Sequence, residues 1–224
     1  MELVDQLGIS DNTIFCFSSD HGDHLGAHGY GKPRDSWLHH SKRGSKATPY
    51  DESVHVPFIM RWPQKIAKGV RSNVIFNSVD IMPTLLSLAE VPVPETLAGR
   101  DLSFAFLGKN GEAPESAFFQ ILGQGWPHRG PWLGYWRGVR TDRYVYARWW
   151  DPDFTPMLFD REKDPWEMNN CYGKPEYAEI QDHMEKLLQE WLEKTGDPFD
   201  YGERDPETHM LCLGQRFTHE KWYR

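Results

Sequence analysis

Asp20-His21-Gly22-Asp23-His24 sets two carboxylates and two imidazoles within five consecutive residues. Carboxylate oxygens suit hard divalent cations, and neutral imidazole shifts the preference toward borderline metals, so the run is a candidate metal-ligand cluster. Adjacent Asp20 and His21 can reach one ion only where the backbone turns sharply, which Gly22 permits. Six of the ten histidines lie between His21 and His55, namely His21, His24, His28, His39, His40 and His55. The plain alternative is a histidine-rich surface loop. The neighbourhood is also basic. Nine Lys or Arg face three acids between Gly29 and Arg71, a local 9 − 3 = +6, in a chain whose net charge is −8. Residues 151–224 hold nine basic and 18 acidic side chains, a local −9. A basic segment in an acidic chain is an anion field if it lines a cleft and a solvated loop if it does not.

The elements that must position these groups are legible in outline. Leu3 and Leu7 lie four apart in a short amphipathic helix that Gly8 closes. Thr13–Phe17 is a short apolar run, expected to be a buried central strand, and it ends abruptly in Ser18-Ser19-Asp20-His21-Gly22. Polar residues just past the carboxyl end of such a strand are where open α/β sheets place ligands. Val54–Trp62 is expected to be a second buried strand. Ser78–Ala89 is expected to be a helix with Ser78 or Asp80 as its cap, stopped by Pro92 and Pro94. Residues 108–116 mark a domain boundary, giving an α/β part over 1–110 and a small α+β part over 111–224. In the latter, Ala117–Leu122, Trp136–Arg140, Tyr144–Trp149 and Met157–Phe159 predict an antiparallel sheet. Pro175–Thr195 predicts a helix, with Ile180, Met184, Leu187, Leu188, Trp191 and Leu192 on one face and Gly196 past its end.

Composition removes several function classes. The acidic balance argues against nucleic-acid or anionic-membrane partners. No apolar run of membrane-spanning length occurs, and the first residues lack the pattern of a signal peptide. Cys16, Cys171 and Cys212 are too few for a disulfide scaffold; Cys16 is expected to be buried in its strand. Trp126, Trp132, Trp136, Trp149 and Trp150 fall among Arg129, Arg137, Arg140, Arg143 and Arg148. That concentration reads either as a rim that stacks sugars and pairs anions or as sheet core; for Trp136 and Trp149 we favour core.

Four blocks together resemble the second half of type I sulfatases, in the alkaline phosphatase superfamily. They are SSDHGDHLGAHG (Ser18–Gly29), KATPYDESVHVPFIMRWP (Lys46–Pro63), SVDIMPTLLSLAEVPVPETLAGRDLS (Ser78–Ser103) and the stretch Gly138–Asn170. The resemblance covers roughly residues 1–200. It implies an alkaline-phosphatase-like catalytic domain, its C-terminal portion, followed by a small antiparallel sheet with a packed helix. It implies sulfuric ester hydrolysis on a sulfated small molecule or glycan. It also implies one divalent cation, calcium before magnesium or manganese, on Asp20 and His21, and a lysine that contacts the sulfate or the leaving oxygen. Lys46 has the spacing for that lysine relative to Tyr50-Asp51-Glu52-Ser53. The chemistry agrees, since ester cleavage moves negative charge onto the bridging oxygen and a fixed ammonium with a divalent ion stabilises it.

The sequence departs from the family pattern in two ways. Twenty-four residues separate His21 from Lys46, more than the family spacing, so counting forward nominates Lys32 instead; the ungapped block after Lys46 favours Lys46. His28 matches the family's LGxHG without an assigned role. Secondly, the family's nucleophile is a formylglycine made within C/S-x-P/A-x-R, and this sequence supplies none. Cys212-Leu-Gly-Gln-Arg216 has Gly where Pro or Ala is required and lies at the wrong end. The resemblance therefore places the formylglycine in a separate N-terminal half, and this chain alone is expected to be inactive. The alternatives are a phosphonate or phosphate monoester hydrolase of the same superfamily, or a non-catalytic fragment that binds metal or glycan.

Overall fold

A computed structural model describes residues 1–29, 46, 48–121, 136–149, 154–197, 199, 203–204 and 211–212. They divide into two compact units that are discontinuous in sequence: Met1–His21 with Val56–Ala117, and Gly22–His55 with Phe118–Arg224.

In the first unit, helix α1 (Glu2–Gln6) leads to β1 (Phe15–Phe17), which pairs antiparallel with β2 (Ile59–Arg61), Cys16 opposite Met60. Asp5 receives Arg61 at 2.7 Å, and the Trp62 indole donates to the Asp11 carbonyl at 2.7 Å, so polar contacts pin α1 and its turn to β2. Among the described residues β1 pairs with β2 alone, so within this chain it is not covered as the expected central strand would be. Phe17 and Cys16 are exposed, because a two-stranded sheet cannot cover both of its own faces. Val54–Trp62 is also not one strand. Its start belongs to a short helix, α2 (Asp51–Val54), and only Ile59–Arg61 pairs.

Helix α3 (Ile81–Leu88), with Asp80 at its N-cap position, follows a 3₁₀ turn over Ser78–Asp80 that Asn77 caps. The Asn77 side chain accepts from Ser78 N–H, while Asp80 reaches back to Asn77 N–H at 2.9 Å, a reciprocal capping box. Buried Asp80 also accepts from Arg100 N–H at 2.8 Å, and buried Thr84 from Leu102 N–H at 3.0 Å. The return segment thus meets α3 with its polar groups satisfied, and α4 (Ser103–Phe106) follows. Phe106 of α4 packs ring against ring with Phe58 and Phe76, with centroids 4.7–5.7 Å apart.

The second unit, besides α2, is a four-stranded sheet with a helix on one face. Strands β3 (Ala117–Ile121), β4 (Trp136–Arg140), β5 (Tyr144–Trp149) and β6 (Met157–Asp160) lie in that order, with β4–β5 and β5–β6 antiparallel. Helix α5 (Ala178–Thr195) buries Met184, Leu187, Leu188 and Leu192 against Val139, Tyr146 and Leu158 of the sheet. Burial of that face on the order of 2 kcal/mol per large side chain is what holds the helix down. Gly196 ends α5 in the left-handed conformation at φ 63°, which a side chain would strain. Two short strands, β7 (Glu203–Arg204) and β8 (Leu211–Cys212), pair antiparallel.

The arginines in and beside the sheet are paired with carboxylates of the fold, and Arg137 and Arg148 are buried. Arg137 is fully buried, pairs with Asp197 at 2.6 Å and donates to the Ile121 and Trp136 carbonyls. Arg143 forks onto Asp160, and Arg148 pairs with Glu185 at 3.2 Å. Trp136 is buried, as core. Trp126, Arg129, Trp132 and Trp150 lie outside the described residues.

Candidate active site

Asp20 and His21 lie in the first unit, separated from the end of β1 by Ser18 and Ser19. The His21 Nε2 and Asp20 Oδ2 atoms are 3.3 Å apart, and Ser19 braces the turn by donating to the His21 carbonyl at 2.7 Å. Both side chains are open to solvent, Asp20 more than His21. Two ligands at right angles on an ion with bonds of ~2.3 Å stand about 3.3 Å apart. That separation is the distance of an Asp–His ion pair, and two ligands of one divalent cation can stand equally far apart.

Gly22 opens the second unit. Its N–H donates to the Ser53 carbonyl at 2.9 Å, and a Cβ built on it would lie 1.9 Å from the Glu52 carbonyl oxygen. The close backbone approach, not only the turn, requires glycine here. From Gly22 the chain carries buried His24, whose Nε2 pairs with Thr48 Oγ1 at 2.6 Å, and then His28. Burial pushes the His24 imidazole below its ordinary pKa. His28 donates from Nε2 to Glu52 Oε2 at 3.0 Å and stacks on Tyr50 with ring centroids 3.9 Å apart. Ligand atoms of His24, His28 and Glu52 lie within 4.8 Å of one another. Lys46, four residues before Tyr50, is exposed. Lys32, His39 and His40 lie outside the described residues.

Tyr50-Asp51-Glu52-Ser53 proves to be a hub. The Asp51 carboxylate takes Arg140 of β4 on Oδ1, Arg161 at 2.7 Å on Oδ2, and His55 at 3.4 Å. Its backbone N–H donates to Glu167 Oε2 at 2.9 Å. Burial alone would raise the Asp51 carboxyl, but the His55 hydrogen bond and the two guanidiniums hold it down at about 2. Glu167 goes the other way: burial, helped by the Asp51 charge, pushes it up to about 7. Arg161 lies 3.8 Å from Glu167 Oε1, too far for a hydrogen bond to offset that burial. None of Arg140, Arg161 and Glu167 was readable as part of this network. They lie 89 to 116 residues from Asp51, and nothing local in sequence signals a pairing at that distance.

Comparison with known proteins places these observations. Residues 43–194 match the family model for the C-terminal region of N-sulphoglucosamine sulphohydrolase. An ulvan-active sulfatase of Formosa agariphila is 35% identical over 202 residues, covering 89% of this chain and 36% of that protein. An N-acetylglucosamine-6-O-sulfatase of Bacteroides thetaiotaomicron is 30% identical over 220 residues, covering 96% of this chain and 36% of that protein. A structure solved in complex with its substrate D-glucosamine-2-N,6-O-disulfate superposes with a TM-score of 0.76 at 28% identity. The superposition covers 90% of this chain and 38% of that one. The chain thus spans little more than a third of the length of these relatives. Its order of elements, its antiparallel sheet and its packed helix are those of the C-terminal part of an alkaline-phosphatase-like fold. The chain belongs to the type I sulfatase family.

Proposed function

We propose that the protein carrying this chain hydrolyses a sulfate ester of a carbohydrate and releases inorganic sulfate. The observation that supports the reading is the adjacent Asp20–His21 pair, with Oδ2 and Nε2 3.3 Å apart just past β1, in a chain of this family. The relatives named above act on ulvan and on sulfated N-acetylglucosamine, which supports a sulfated glycan or monosaccharide as the substrate class.

In this reading Asp20 and His21 hold a divalent ion, calcium before magnesium or manganese. Carboxylate oxygen is the harder ligand of the pair, and one imidazole does not exclude a hard cation. Such an ion, when bound, polarises the sulfate oxygens and offsets charge that builds during cleavage. Lys46 supplies a second positive charge to the leaving oxygen, in a segment whose excess of basic residues draws the anionic substrate. The family's formylglycine has no counterpart among these residues.

Lys46 and Lys32 are separated by kinetics on the full-length protein. Lys46→Ala lowers kcat for sulfate release by about a hundredfold or more, as expected for a lost charge at a developing oxyanion. Lys32→Ala has little effect. The reverse pattern transfers the role to Lys32. Independently of turnover, calorimetric calcium binding is present in the unaltered protein and absent in Asp20→Ala; binding unchanged by that substitution removes Asp20 from the metal site.

A further inference from the structure

Every residue of the Tyr50–Ser53 turn is held by other segments of the second unit. The Tyr50 ring lies between His28 at 3.9 Å and Phe159 of β6 at 5.8 Å. Asp51 is gripped by Arg140 and Arg161, Glu52 by His28, and the Ser53 carbonyl by the Gly22 N–H. The Ser53 hydroxyl in turn accepts from Thr48 N–H at 3.4 Å. Two chemically loaded segments converge on this turn. Gly22 directly follows His21, and Lys46 precedes Tyr50 by four residues. The anchor common to both is Asp51, whose carboxylate is mostly buried with two guanidiniums on it.

A buried charge cluster of this kind contributes little net stability compared with apolar packing of the same volume, but its geometry is unforgiving. Each guanidinium takes a different oxygen of the carboxylate, Arg140 on Oδ1 and Arg161 on Oδ2, so the two together fix its direction as well as its position. We propose that Arg140 and Arg161 are positioning residues for sulfate ester cleavage: by clamping Asp51 to the sheet they set the Tyr50–Ser53 turn, and through it the Gly22–His28 loop and the segment that begins at Lys46. The proposal rests on the sulfatase reading for its catalytic consequence. Its structural half stands apart from that reading.

The test uses the full-length protein with Arg161→Gln, Arg161→Lys and Asp51→Asn, the last isosteric with the native side chain. Arg161→Gln lowers kcat for sulfate release by about tenfold or more with KM within about twofold, because misplacing a group that acts on the transition state costs rate rather than ground-state binding. Arg161→Lys, which keeps the charge, recovers part of the loss. Amide exchange quickens at Gly22, Val54 and His55, whose N–H groups end on this turn, and is unchanged along α5. A kcat within about twofold of the unaltered protein, or a loss confined to KM, overturns the proposal. Should Arg161→Gln fail to fold, Asp51→Asn carries the same expectations and the same refutation. Failure of both to fold also counts against it, since the clamp would then serve the fold alone. If the unaltered protein turns over no sulfate ester, the sulfatase reading fails, and exchange decides the clamp by itself: unchanged rates at Gly22, Val54 and His55 overturn it.

Discussion

Glu167 imposes a pH dependence on folding whose direction and size follow from its surroundings. The carboxyl is held at about 7 against an ordinary 4.5, and the groups that face it are the Asp51 carboxylate, the Asp51 N–H and the Arg140 and Arg161 guanidiniums. A group with a raised folded-state pKa contributes stability that is complete below its unfolded pKa and is lost as pH rises through the folded value. Below about pH 4.5 Glu167 is protonated in both states. Between 4.5 and 7 only the folded state keeps the proton, and stability falls by about 1.4 kcal/mol per pH unit. Above 7 the loss is complete, on the order of 3 kcal/mol for the full span. Asp51 titrates near 2, outside this window. Urea denaturation of the unaltered protein and of Glu167→Gln at pH 5 and pH 8 isolates the effect. The unaltered protein is expected to lose about 2–3 kcal/mol more than the variant between those pH values. Equal losses would refute the reasoning, because they would mean that the arginines keep Glu167 ionised despite its burial.

Two further substitutions test the framework. Gly22→Ala should displace the turn after His21, since its Cβ would stand 1.9 Å from the Glu52 carbonyl oxygen; the expected result is lowered calcium affinity and lowered turnover, and wild-type values for both would contradict the close approach. Arg137→Ala leaves Asp197 buried without its partner and should cost about 3–5 kcal/mol in urea denaturation, so a loss under about 1 kcal/mol would show that the pair is not as buried as it stands.

The sheet and helix of the second unit were legible because their periodicity is local. Strands predicted at Trp136–Arg140 and Tyr144–Trp149 form over those residues, and the apolar face predicted for Pro175–Thr195 packs against them, with its first three residues as a 3₁₀ turn. Exposure was not legible in the same way. Thr13–Phe17 has the composition of a buried strand, but burial depends on how many strands flank it, and only β2 pairs with β1 among the described residues. At the site, Asp20 and His21 stood out because they are adjacent and chemically distinctive. Asp51 and Glu52 were visible only as a spacing marker for Lys46. Their work is done through Arg140, Arg161 and His28, partners that sequence distance hides. The arginine-rich stretch invited a glycan-binding reading. Yet Arg137, Arg140, Arg143 and Arg148 are all engaged with carboxylates of the same unit.

The central claim is tested most directly by measuring inorganic sulfate released by the full-length protein from a 6-O-sulfated amino sugar and from an aryl sulfate, beside product released from the matching aryl phosphonate. The account predicts preference for the sulfate esters, with that activity lost in Asp20→Ala. Hydrolysis of the phosphonate faster by orders of magnitude, or sulfate release indifferent to Asp20→Ala, would contradict it.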